Sequence, residues 1–276
     1  MIPMFFLAEL ASKYVKVVLT GQGADEPLGG YTRYKSELLQ EKIPGFVQRL
    51  VGNMTAGRNI RHEKIQRGIG TLGISDDIER FLAVYQVFQP AEIKAMINTT
   101  DLRSNASLRY FYDSLDCAKK IHSVERMMVM DTRLNLSDDL LNYTDKITMR
   151  FSIECRVPML DLDLVKYIES LPLPMKVNLR SGKLIHKQFA QRILPDRIID
   201  RPKKSFQSPT QLWFRSGAEQ IRELLLQKDT PFSSIFAREA VGRIIDQHQE
   251  GFNREKQIFL LLSIYFWLES AAHKTS

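Results

Sequence analysis

The sequence predicts a mainly α-helical chain with one or a few parallel strands near its N-terminus. Three observations point there. A short β-branched run, Val15, Val17, Val18 and Leu19, is ended by a glycine loop. Beyond that loop the strand signal nearly disappears. Segments with apolar residues at helical spacing and recognisable start and stop residues then follow one another to the C-terminus.

In chain order, residues 4–13 fit a helix, 15–19 a buried strand and 20–30 the loop. In SDDIERFLAVYQVF, Asp76 or Ser75 is the expected cap, and Phe81, Leu82, Val84, Tyr85 and Phe88 recur at helical spacing. QPAEIKAMI opens with Pro90 at a first-turn position. HSVERMMVMDTRL and SDDLLNYTDKI read as two helices, the second capped by Ser137. DLDLVKYIESLP closes at Pro172, and SGKLIHKQFAQRILP stops at Pro195. Tail helices are expected near 217–227, 236–248 and 254–271, the last apolar enough to be buried. Linkers are expected at 176–182 and 200–210. One strand cannot make a sheet, so partner strands are expected upstream.

The chain has 276 residues, 44% of them apolar and 26% charged, enough for a sizeable globular core. A net charge of +7 suits an acidic ligand such as a nucleotide. No basic stripe with interleaved aromatics is present, so nucleic acid is not an expected partner. Cys117 and Cys155 lie far apart, with no CxxC and no zinc-ligand spacing, and read as reduced thiols of a cytoplasmic protein. The opening MIPMFFLAEL lacks a basic leader and is interrupted by Glu9, so it reads as a core-facing helix. No run approaches the ~18 apolar residues of a membrane span, and no membrane role is expected.

Three stretches carry chemistry. In VKVVLTGQGADEPLGGY, Gly21, Gly23, Gly29 and Gly30 permit close approach of a ligand between a strand and a helix, where backbone N–H groups can face an anion. Asp25 and Glu26 are hard oxygen donors suited to Mg²⁺. A phosphate cradle, a metal site and a plain tight turn all fit this pattern, whereas the P-loop and dinucleotide fingerprints do not. In DKITMRFSIECRVPMLD, Asp145, Lys146, Arg150, Glu154 and Arg156 are threaded through an apolar frame. Pro158 places Glu154 at an expected helix end, facing a cleft or pairing with Arg156. In IIDRPKKSFQSP, Arg201, Lys203 and Lys204 lie in a stiff loop, either solvated or placed to steady phosphate charge.

Together and in this order, the three stretches resemble the synthetase domain of asparagine synthetases. They are Thr20-Gly21-Gln22-Gly23-Ala24-Asp25-Glu26 with Gly30-Tyr31, then Asp145 to Asp161, then Arg201-Pro202-Lys203-Lys204-Ser205-Phe206. The resemblance implies an α/β parent fold of the ATP-pyrophosphatase (adenine nucleotide alpha-hydrolase-like) type. Residues 1–45 would be the last part of its nucleotide-binding core and 46–276 its helical lobe. It implies ATP and Mg²⁺, activation of a carboxylate, aspartate most simply, as an acyl-adenylate, and displacement of AMP by ammonia, usually from glutamine. By that likeness Thr20, Gly21 and Gly23 border the AMP moiety, and Asp25 holds Mg²⁺ on pyrophosphate. Lys203 stabilises phosphate and the tetrahedral intermediate, while Glu154 and Gln22 line the acceptor side.

Two departures stand out. The family's S-G-G-x-D-S loop and its cysteine-initiated glutaminase domain are absent. The chain therefore reads as the C-terminal part of a longer enzyme, with an exposed apolar face that would favour a homodimer. Gln22 stands where asparagine synthetases often have an acidic residue, so a relative acting on another acid is a second expectation. A helical binding module without catalysis is a third.

Overall fold

The computed structural model describes residues 2–45, 47, 74–97, 104–114, 121–199, 201 and 208–275. In order these contain α1 (Ile2–Ser12), β1 (Val17–Leu19), α2 (Thr32–Lys42), α3 (Asp77–Tyr85), α4 (Pro90–Met96), α5 (Ser104–Ser114) and α6 (Ser123–Met130). A π-helical segment (Asp131–Leu141), α7 (Asn142–Arg150), β2 (Glu154–Arg156) and a 3-10 turn (Pro158–Leu160) follow. Then come α8 (Leu162–Ser170), α9 (Leu173–Lys176), α10 (Leu184–Ala190) and α11 (Asp196–Ile199). The series closes with α12 (Thr210–Ser216), α13 (Ala218–Leu225), α14 (Arg238–Gln249) and α15 (Glu255–Thr275). The protein is thus mostly helical with a small parallel two-stranded sheet.

The chain divides into two compact units. The first holds α1, β1, α2, the start of α3, most of α5 and the elements from α6 to α11. The second holds the end of α3, the start of α5, α4, and α12 to α15.

In the first unit, β1 pairs in parallel with β2, with Val17 opposite Glu154 and Leu19 opposite Arg156. The partner of β1 among the described residues is thus a downstream strand. Helix α7 ends in a Schellman turn: Ser152 takes φ 55, its N–H bonds the Met149 carbonyl, and the Ile153 N–H bonds that of Thr148. Fully buried Ile153 then anchors the turn, and the next three residues extend along β1. Glu154 lies in this strand and not at a helix end. Nor is β1 buried as expected: with one partner, Val17 and Leu19 remain exposed.

The two helices expected around 122–147 are one continuous run from Ser123 to Arg150, and Ser137 is an exposed residue inside its π-helical part. Segment 176–182 is no linker. Val177 and Gly182 form an antiparallel bridge closed by an Asn178 turn, whose side chain accepts the N–H groups of Arg180 and Ser181. The 200–210 linker falls mostly outside the described residues. Helix α10 ends at Ala190, several residues before Pro195.

Asp76 caps α3 as expected, accepting from the N–H groups of Ile78 and Glu79. This cap leads into a buried ionic cluster. Arg80 binds Glu37 at 2.7 Å and also pairs with Asp77, while its remaining nitrogen donates to the carbonyls of Ile74 and Ser75. Arg126 and Tyr112 complete the coordination of Asp77, at 2.6 and 2.7 Å. A buried guanidinium is tolerable only when its donors are used, and here they are.

In the second unit, α15 lays Ile258, Leu261 and Tyr265 into a core shared with α13 and α14, including Leu225, Val241 and Ile245. The expected burial of this helix is one-sided, because Phe266 and Trp267 are exposed. Buried His248 accepts the Arg254 N–H on Nδ1, so its Nε2 carries the proton donated to the Gln211 carbonyl. We expect Leu261→Ala to destabilise this unit by about 2–5 kcal/mol in denaturant titration, and Trp267→Ala by less than ~1 kcal/mol.

Candidate active site

The site is built on the loop that leaves β1. The Thr20 N–H still belongs to the sheet, donating to the Arg156 carbonyl at 2.9 Å, and Gly21 is exposed. Gln22 turns inward, and its Nε2 donates to Thr144 Oγ1 at 2.8 Å. Gly23 packs on Leu160. Asp25 closes the turn, its carbonyl accepting the Gly30 N–H at 2.7 Å.

Asp25 Oδ1 lies 3.0 Å from Lys183 Nζ, and both side chains are roughly three-quarters buried. This pair closes over Gly30. A Cβ at that position would stand 2.0 Å from Asp25 Oδ1 and 2.4 Å from Lys183 Cε. Gly182 is required for the same reason, because a Cβ there would meet the Gly29 carbonyl oxygen at 2.0 Å. The Lys183 N–H donates to the Leu28 carbonyl, so the 177–183 turn is fastened to the loop through backbone. Lys183 itself adopts the left-handed conformation, φ 57 and ψ 37, which costs about 1–2 kcal/mol in a non-glycine residue. Such strain persists where the surroundings enforce it and gathers at functional positions.

Glu26 points the other way and is almost completely buried, 1% exposed. It accepts the Tyr31 hydroxyl at 2.6 Å, while its second oxygen has no hydrogen bond among the described residues. Burial is the chief reason its pKa is raised, with the Tyr31 bond opposing and Asp25 and Asp131 adding to the rise. Burial, then Glu26, also pushes the Tyr31 phenol above its ordinary value. Next to this pair, fully buried Asp131 accepts from Arg33 Nε at 2.7 Å and from the Tyr34 hydroxyl at 2.6 Å. Arg33 also lies 3.9 Å above the Tyr31 ring.

The structure thus gathers Thr20, Gly21, Gln22, Gly23 and Asp25 in one loop. Glu154 lies on the adjacent strand, exposed and bound by Arg156 at 2.8 Å. The other charges of its segment, Asp145, Lys146 and Arg150, are likewise exposed. Lys203 falls outside the described residues. The cation beside Asp25 among the described residues is Lys183, a residue the motifs did not single out. Its one sequence signal is the glycine before it.

Comparison with known proteins decides the family. The asparagine synthase family model matches residues 1–269. The chain belongs to the asparagine synthase family. A Mycobacterium tuberculosis protein named "Putative asparagine synthetase (glutamine-hydrolyzing)" is 27% identical over 285 residues, covering 97% of this chain and 41% of the relative. Asparagine synthetase (glutamine-hydrolyzing) 1 of Bacillus subtilis is 25% identical over 279 residues, covering 96% of this chain and 42% of the relative. A more distant relative, Amidase chyE of Penicillium rubens, is 22% identical over 222 residues, covering 72% of this chain and 33% of the relative. This asparagine synthase family chain therefore spans about two-fifths of the length of the synthetases it matches. No described helix is long and apolar enough to cross a membrane.

Two outcomes test the geometry. Gly182→Ala is expected to lower stability by on the order of 3 kcal/mol, because backbone must move. Gly21→Ala, where a Cβ meets nothing within 4 Å, is expected to cost less than ~1 kcal/mol. For Glu26 the folded pKa lies above the ordinary value of 4.5. Its stabilising contribution is therefore fully present below that value and is lost as pH rises through the folded pKa. Glu26→Gln, which keeps an acceptor for Tyr31, should melt progressively higher than wild type as pH rises above 4.5. A Tm difference that stays flat with pH would contradict this.

Proposed function

We propose that the intact protein is an ATP-dependent, AMP-forming amide ligase, acting most simply on aspartate with ammonia derived from glutamine. The observation that carries this reading is the Asp25–Lys183 pair, closed over Gly30 in a glycine loop at the C-terminal end of a parallel strand. That end of a parallel strand is where α/β proteins bind nucleotides. Membership of the asparagine synthase family supports the same chemistry. So does the name of the Bacillus subtilis relative, an asparagine synthetase.

In this reading an oxygen of the acid's carboxylate attacks the α-phosphorus of ATP, and pyrophosphate leaves with the electrons of the broken P–O bond. The nitrogen of ammonia then attacks the acyl carbon of the adenylate, AMP departs, and the amide loses one proton. Little covalent work falls to the protein, whose task is to position the reactants and hold charge. Thr20, Gly21 and Gly23 border the AMP moiety. Lys183, and Lys203 from the later motif, steady charge on the leaving phosphates.

Mg²⁺ is usually held by one or two carboxylates, with phosphate oxygens and water supplying the rest. The donors here suit that arrangement: Asp25 is one partly accessible carboxylate, and the described residues contain no dense cage of metal ligands. Asp25 would hold the ion, which when bound neutralises pyrophosphate charge. Gln22 and Glu154 line the acceptor side, and Glu154 exchanges its exposed Arg156 contact for a proton-transfer role.

We place the chain in an α/β parent fold of the ATP-pyrophosphatase type, in a longer cytoplasmic protein carrying a glutaminase domain and able to form a homodimer. A neutral Gln22 and the amidase relative favour a second reading, amide formation on a different acid. The intact protein given aspartate, glutamine and Mg-ATP should yield asparagine and AMP in equal amounts. Activity found only with another acid would select the second reading, and no AMP formation with any acid would overturn both. Asp25→Ala and Lys203→Ala should each lower the rate at least ~100-fold, the scale of a lost transition-state contact. A loss under ~3-fold would remove them from the machinery.

A further inference from the structure

We infer that Lys183 masks Asp25 against a free divalent cation, so that the cation enters this site only together with a phosphate-bearing ligand that draws the lysine away. The inference rests on the reading above in which Asp25 holds the metal.

The mask is a product of the backbone. Lys183 Nζ lies 3.0 Å from Asp25 Oδ1, with about three-quarters of each side chain withdrawn from water. Lys183 Cε and Asp25 Oδ1 both crowd the space where a Gly30 Cβ would stand, at 2.4 and 2.0 Å. At the other end of the lysine, its N–H donates to the Leu28 carbonyl at 3.0 Å, and Gly182 lets the chain before it lie against the Gly29 carbonyl. The stem is therefore laid across the loop from a fixed origin, and its left-handed φ of 57 is kept by these contacts. Lys187, one turn further along α10, is directed elsewhere and donates to Ser181 Oγ at 2.7 Å.

Charge decides what this pair can bind. Asp25 and Lys183 together are neutral. A dication approaching Asp25 meets an ammonium already on the carboxylate, and the two cations repel across a partly buried gap where water screens them poorly. Mg²⁺ dehydrates reluctantly and is bound through one or two carboxylates together with phosphate oxygens. Glu26, the adjacent carboxylate, is 1% exposed and holds the Tyr31 hydroxyl, so it does not make up the deficit. No cluster of three or more His, Cys, Asp or Glu side chains among the described residues offers an alternative. A polyphosphate changes the balance in two ways. It brings negative charge and oxygen ligands for the ion, and it gives Lys183 an acceptor in place of Asp25. The ammonium sits on a flexible four-carbon stem and can swing to the new acceptor while its backbone stays fastened. The carboxylate is uncovered as its ion arrives. The consequence is an order of binding, in which metal and phosphate load as one unit and free metal is refused.

The test measures Mn²⁺ bound by the intact protein, with Mn²⁺ as an oxygen-seeking stand-in for Mg²⁺. Electron paramagnetic resonance reads the free ion in titrations with the metal alone. Lys183→Met removes the ammonium. Lys183→Gly removes it and also relieves the left-handed strain, so the two variants differ in backbone effect and share only the lost charge. Both are expected to bind Mn²⁺ at least ~10-fold more tightly than wild type, with Lys187→Met within ~3-fold of wild type. Adding Asp25→Asn to Lys183→Met should abolish the gain. Wild type should retain Mn²⁺ on ultrafiltration at least ~10-fold better when inorganic pyrophosphate is present. Unchanged affinity in both Lys183 variants, an equal gain in Lys187→Met, or a gain that survives Asp25→Asn would overturn the proposal. So would a wild type that retains Mn²⁺ equally with and without pyrophosphate. A failure of the ligase reading shows separately, as a wild type that forms no AMP from any acid.

Discussion

The candidate site depends on a contact that excludes side chains. Gly29, Gly30 and Gly182 bring two stretches of backbone so close that a single methyl group at Gly182 would sit inside the contact distance of a carbonyl oxygen. Because they can approach, the Lys183 amide reaches the Leu28 carbonyl and the Lys183 ammonium reaches Asp25. Remove the close approach and the ion pair opens, because Lys183 is held in its left-handed conformation by that fastening and by nothing intrinsic to lysine. A carboxylate–ammonium pair that keeps partial contact with water adds little stability on its own. Its value here is placement, a fixed positive and a fixed negative group on either side of one glycine.

Around this contact the acidic groups are sorted by burial. Asp25 is paired with a cation and reachable. Glu26, its neighbour in sequence, is turned into the interior against Tyr31 and driven towards its neutral form. Asp131 is buried deeper still, and an arginine and a phenol satisfy one of its oxygens. Adjacent carboxylates thus take different surroundings, one partly accessible beside a cation and one buried against a phenol. Their two environments set the division, as is general for paired acids.

Much of the loop was legible in the sequence because its signals are local. Glycines after a β-branched run announce a turn with close approach, and Asp76 two residues ahead of Ile78 announces a cap. What was not legible depends on distant partners. Glu154-Cys155-Arg156 is too short to declare itself a strand, and it becomes one only because a left-handed Ser152 releases it alongside β1. Ser137 ahead of two aspartates reads as the cap of a new helix, but the run continues through it with Ser137 exposed on the helix surface. Lys183 looks like any surface lysine until Gly29 and Gly30, some 150 residues earlier, come against the glycine that precedes it.

Strand β1 has β2 on one side and no strand on the other among the described residues, and Phe6, Leu7 and Leu10 of neighbouring α1 are exposed. Open main-chain donors and acceptors beside greasy side chains make an adhesive edge. The practical outcome concerns handling. Solutions of this polypeptide by itself should thicken into higher-order species as they are concentrated, and dilute, mildly chaotropic buffers will keep it tractable.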